Sequence, residues 1–150
     1  MSYDKDIWIY DKRICSLGEG PLWHPKRNQL FWFDVLGRKL LSLEMEWQFE
    51  SYVSATGWVD ERTLIIASDK ALLRFDIASG KHETICPLEA DNPVTRSNDG
   101  RADPWGGFWI STMGINGEKD AGVKGKRPYA IIRRQIPRHQ RREGYRQIPR

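Results

Sequence analysis

One sequence unit occurs twice in full and starts a third time within the first 114 residues, and few folds accommodate that. Pro21-Leu22-Trp23-His24-Pro25, a turn, Gln29-Leu30-Phe31-Trp32-Phe33-Asp34, a second turn and Leu40-Leu41-Ser42-Leu43 make the first copy. Thr56-Gly57-Trp58-Val59-Asp60, Thr63-Leu64-Ile65-Ile66-Ala67 and Leu72-Leu73-Arg74-Phe75-Asp76 keep its order. Asn98-Asp99-Gly100-Arg101-Ala102-Asp103-Pro104 followed by Gly107-Phe108-Trp109-Ile110-Ser111-Thr112 begins it again. Trp23 lies 35 residues before Trp58, and Ile65 lies 44 before Trp109. These offsets bracket the ~40 to 45 residues of a four-stranded propeller blade. The pattern stops after Met113. The chain therefore reads as all-β, two to three N-terminal blades of a β-propeller. A closed ring takes at least about four blades, so an incomplete one is expected.

Alternation of short aromatic or β-branched runs with turn clusters supports strands over helices throughout this region. Candidate strands are 7–10, 29–34, 39–43, 48–52, 57–59, 63–67, 71–76, 82–85 and 107–112. Trp23, Trp32, Trp58 and Trp109 fall at repeat positions, which points to packing between blades rather than to stacking on bases. His24, His82 and His139 form no ligand pattern and read as surface residues.

Net charge divides the chain. Of 24 Lys and Arg residues, ten lie in 124–150, where Glu143 is the one acid. The preceding part is then slightly acidic, so a sequence pI of 9.2 says nothing about nucleic-acid binding by the repeat region. The tail carries Pro128, Pro137 and Pro149, scattered arginines and no sustained alternation. Such composition buries little apolar surface, so low order is expected. The division reads as 1–122 propeller and 123–150 basic tail. A frameshifted or read-through end is the expectation for this abrupt change, with a genuine basic arm as the alternative. No apolar run approaches the ~20 residues of a membrane span, and the start is charged, as in a cytoplasmic protein. Cys15 and Cys86 have neither disulfide-framework nor zinc spacing.

Two polar clusters are candidates for chemistry. Gly18-Glu19-Gly20-Pro21 places a carboxylate between glycines that let backbone approach a central axis, and a carboxylate there suits a hard cation. Arg96-Ser97-Asn98-Asp99-Gly100 offers a guanidinium and an amide suited to the oxygens of a sugar acid. By residue type alone, both clusters are equally ordinary turn formers.

Leu17-Gly18-Glu19-Gly20-Pro21-Leu22-Trp23, Phe33-Asp34-Val35, and the run from Arg96 to Trp109 with Ser111-Thr112-Met113-Gly114 resemble the SMP-30/gluconolactonase/regucalcin-like family. The resemblance covers about residues 7–114 and preserves order and spacing. It implies a six-bladed propeller, hence a chain of about six times 45 residues, and a divalent-metal-dependent hydrolase of sugar lactones of the gluconolactone type. It further implies Glu19 as a metal ligand for Ca²⁺ or Zn²⁺, and Arg96 and Asn98 as lactone-binding residues. The other metal ligands and the general-base Asp are expected beyond this chain, so little activity is expected of it alone. An open arc of blades is expected to self-associate through its uncovered face and edge. The alternative is a non-enzymatic interaction module whose basic tail binds nucleic acid or acidic partners. Nucleic acid is the less favoured partner, and no membrane partner is expected.

Overall fold

The computed structural model describes residues 7–117 and the backbone of 130–131. The described elements are all strands, arranged as three antiparallel sheets in chain order. The first sheet contains β1 (Gly18–His24), β2 (Gln29–Asp34), β3 (Lys39–Ser42) and β4 (Met45–Gln48). The second contains β5 (Val53–Trp58), β6 (Thr63–Ser68), β7 (Ala71–Asp76) and β8 (His82–Pro87). The third contains β9 (Thr95–Ala102), β10 (Phe108–Gly114) and β11 (Ala130–Ile131), with β10 between the other two. Each sheet is one copy of the sequence unit, which is the blade arrangement expected of a propeller. The expectation of low order over 123–150 falls outside the described residues, apart from 130–131. There, Ala130 and Ile131 pair with Ile110 and Trp109.

Burial explains the apolar patterns. In β6, Leu64 and Ile66 enter a core shared with the first sheet, while Ile65 and Ala67 enter one shared with the third. A strand covered on both faces has no polar side to show, so it reads as an unbroken apolar run. In β2, by contrast, Phe31 and Phe33 are fully buried while Trp32 between them is half-exposed. The first core joins Phe31, Phe33, Leu40, Phe49, Leu64, Ile66, Phe75 and their neighbours. The second, smaller core is built around Ile65, Leu72, Phe108 and Ile110.

Several sequence expectations are corrected. Residues 7–10 form no strand, and Ile7, Trp8 and Ile9 are each more than two-thirds exposed. The fourth strand is Met45–Gln48 rather than 48–52, because Leu43-Glu44 makes a two-residue loop with Glu44 at φ 59. Neither residue announces a turn of that kind. Of the repeat tryptophans, Trp58 packs against the first core and against His24 of the neighbouring blade, whereas Trp23 and Trp109 are exposed and Trp32 is half-exposed on β2, where Phe31 and Phe33 take the inward positions.

Asp34 ties the first blade together. Its carboxylate accepts from the backbone N–H groups of Ser16 at 3.1 Å, Leu17 at 3.0 Å and Gly37 at 3.1 Å. Burial pushes its pKa up, but these three donors and Lys39 together outweigh that and hold it below the ordinary value.

His24 is also not the surface residue its turn suggests. It is fully buried against Trp58, with Nε2 2.9 Å from the Asp60 carbonyl and Nδ1 accepting from the Arg27 N–H. These bonds require the neutral Nε2–H form and join the β1–β2 turn to the β5–β6 turn. Desolvation, with a smaller contribution from Arg27, lowers the pKa despite the Asp60 carbonyl. An unfolded imidazole titrates near 6.5, so acid protonates the unfolded chain first. His24's contribution is complete above about pH 6.5 and is lost as pH falls through the lowered folded value. Tm is therefore expected to fall between pH 7 and 5, and a His24→Gln chain, although less stable, is expected to show a flatter profile over that interval. Parallel profiles would refute the assignment.

Candidate site on the inner strands

The first strands of successive sheets pack together, β1 against β5 and β5 against β9. A Cβ placed on Gly20 would lie 2.4 Å from the Ser54 carbonyl oxygen, and Ser54 Oγ donates to Ser97 Oγ at 2.8 Å. Gly20, Ser54 and Ser97 thus mark one level across three blades. At the far end of the same strands, His24 meets Asp60, and Gly57 lies beside Ala102. The three strands consequently run in the same direction. Glu19 and Arg96 each lie one residue nearer the starting end than this level, and Asn98 one residue beyond it.

All three strands break register at this level. Gly20-Pro21 of β1 lies opposite Trp32 alone, Ser54 is an extra residue between two paired positions of β5, and Asn98-Asp99 of β9 lies opposite Ser111 alone. Bulges re-aim side chains and are common beside functional sites. Gly20 carries its bulge at φ 61, a conformation that side chains oppose. Ser111 closes the β9 bulge, accepting from the Asp99 N–H at 3.2 Å and donating to the Asp99 carbonyl at 3.0 Å. Asn98 and Asp99 therefore lie inside a strand, not in the hairpin turn their sequence resembles.

The sequence candidates differ in environment. Glu19 is exposed and Asn98 half-buried. Arg96 is 6% exposed; its Nη1 donates to the Ser97 carbonyl at 3.0 Å, while its Nε has no partner among the described residues. A buried guanidinium nitrogen without an acceptor is costly, so the position favours an oxygen-bearing partner. Sequence reasoning missed Ser54, an isolated serine in a strand with no functional signature, and gave no role to Ser97 and Ser111 although both lie in the runs it singled out.

A metal centre is not complete here. Among the described residues, no three His, Cys, Asp or Glu side chains gather to hold an ion. Ca²⁺ takes six to eight oxygens, so Glu19 fits as one ligand and not as a site. A separate hollow of about 280 Å³ on the second sheet, lined by Thr63, Arg74, Asp76, Lys81, His82 and Glu83, includes none of the candidate residues.

A profile described as the SMP-30/Gluconolactonase/LRE-like region matches residues 17–140. The chain belongs to this family. A Rhizobium meliloti protein named provisionally as a sugar lactone lactonase is 38% identical over 114 residues, covering 72% of this chain and 38% of that protein. A Haloferax volcanii pentonolactonase is 32% identical over 106 residues, which is 66% of this chain and 35% of that protein. A solved structure of regucalcin from Agrobacterium tumefaciens, titled a calcium-binding protein, superposes with a TM-score of 0.68 at 36% identity. That match covers 71% of this chain and 38% of the regucalcin chain. A Xanthomonas campestris gluconolactonase at 16% identity and TM-score 0.55 shares the fold, over 78% of this chain and 43% of its own. The chain thus spans well under half the length of these relatives. Its kinship with lactonases and regucalcins does not favour the reading as a nucleic-acid-binding module.

Proposed function

We propose that these blades contribute to hydrolysis of a sugar lactone, with Arg96 and Asn98 holding the lactone's oxygens and Glu19 supplying one ligand to a divalent cation. The observation that carries the proposal is the coincidence of three inner-strand bulges at one level with all three candidate residues beside it. Arg96 and Asn98 offer donors to ring and hydroxyl oxygens, orienting the lactone carbonyl. Ca²⁺ or Zn²⁺, the cations considered for the family, would polarise that carbonyl when bound. The described residues do not hold such an ion by themselves.

The 150 residues alone are therefore expected to bind lactone weakly and to hydrolyse it little faster than water does. Glucono-1,5-lactone hydrolysis followed by proton release, with added Ca²⁺ or Zn²⁺ and then with EDTA, tests this. Metal-dependent turnover that Glu19→Ala abolishes would contradict the expectation, since a single carboxylate would then suffice. Arg96→Gln is expected to weaken binding of the hydrolysis-resistant gluconolactam about tenfold or more, as loss of one charge-assisted bond does. Unchanged binding would remove Arg96 from the site.

A further inference from the structure

We infer that Asp69 is a further sugar-binding residue of this site, accepting a hydroxyl hydrogen beside Arg96. This rests on the lactone reading above and names a contact that it lacks. Among the described residues, the buried side-chain atoms without a hydrogen-bond partner are Asp69 Oδ1 and Arg96 Nε, an acceptor and a donor. Both lie at the starting end of the inner strands. Asp69 directly follows β6, its N–H donating to the Tyr52 carbonyl at 3.0 Å just before β5 begins. Arg96 directly precedes Ser97, whose Oγ accepts from Ser54 Oγ at 2.8 Å and donates to the Ala67 carbonyl at 3.3 Å. The β6 end and the β9 start therefore meet, with Ala67 two residues from Asp69 and Ser97 next to Arg96.

The neighbours do not explain Asp69 structurally. The β6–β7 turn is closed by Ser68, whose Oγ accepts from the Ala71 N–H at 2.9 Å, and Lys70 Nζ donates to the Asn92 carbonyl at 3.1 Å. A turn already capped by serine has no need of an aspartate. A carboxylate oxygen that loses water without gaining a donor destabilises the fold, and such cost concentrates where a ligand repays it. A vicinal pair of sugar hydroxyls or a hydroxyl beside a ring oxygen supplies what the two orphan atoms require: a hydrogen toward Asp69 and a lone pair toward Arg96.

The test measures gluconolactam affinity by calorimetry, and Tm without ligand, for the wild-type chain, Asp69→Asn and Arg96→Gln. Asp69→Asn is expected to bind about tenfold more weakly while its Tm stays equal or rises. Unchanged affinity for Asp69→Asn alongside a loss in Arg96→Gln would overturn the inference and leave the lactone reading standing. Weaker binding accompanied by a lower Tm would also overturn it, because Asp69 would then be structural. Absence of wild-type binding would remove the lactone reading and this contact with it.

Discussion

Phe75→Ala is expected to cost about 3–5 kcal/mol of stability, the range for deleting a large aromatic from a core. Phe75 is fully buried on β7, where its ring meets Trp47 edge-on at 5.7 Å and Phe49 at 5.6 Å. Trp47 lies on β4 of the first sheet and Phe49 directly follows that strand, so the cavity opens at the seam between two blades and not within one. Domains have only about 5–15 kcal/mol of stability in total, so this single change removes a large share. Urea unfolding followed by tryptophan fluorescence measures it. Leu43→Ala, an exposed position in the β3–β4 loop, is the control and is expected to shift stability by less than about 0.5 kcal/mol. Equal effects would mean that the seam is not packed as described.

Gly20→Ala is expected to cost about 2–4 kcal/mol, combining an unfavourable positive φ with overpacking. Its methyl would meet the Ser54 carbonyl oxygen at 2.4 Å and the Phe33 ring at 3.0 Å. Backbone cannot step aside as a flexible side chain can, so the inner strands of two blades must separate. Gly117→Ala isolates the conformational part, since φ there is 93 and nothing lies within 4 Å. It is expected to cost about 1 kcal/mol, the price of the left-handed conformation alone. If the two substitutions prove equally mild, β1 and β5 are not in the contact that aligns the site.

The blade repeat was legible because buried strands write apolar runs at the same place in successive units, as in Phe31-Trp32-Phe33 and Leu64-Ile65-Ile66. β1 and β9 were not. They carry Gly18-Glu19-Gly20-Pro21 and Ser97-Asn98-Asp99-Gly100, residues chosen for bulges and close approach, and these read as turns. What hid those two strands is also what makes them candidates for function. Gly20 was legible as a place of close backbone approach, whereas its partner Ser54 was not. His24 was misread because a histidine before proline has the look of a surface turn, and only the neighbouring blade reveals the Asp60 carbonyl that buries it. Asp69 had no sequence signal, because the absence of a partner is a property of three dimensions.

The most direct measurement maps gluconolactam onto the chain by amide chemical shifts. The account predicts perturbations confined to the starting end of the inner strands, at residues 18–20, 52–54, 69–70 and 95–99. Shifts at the opposite turns, 24–28 and 103–107, at the hollow around Arg74 and His82, or nowhere, would contradict it.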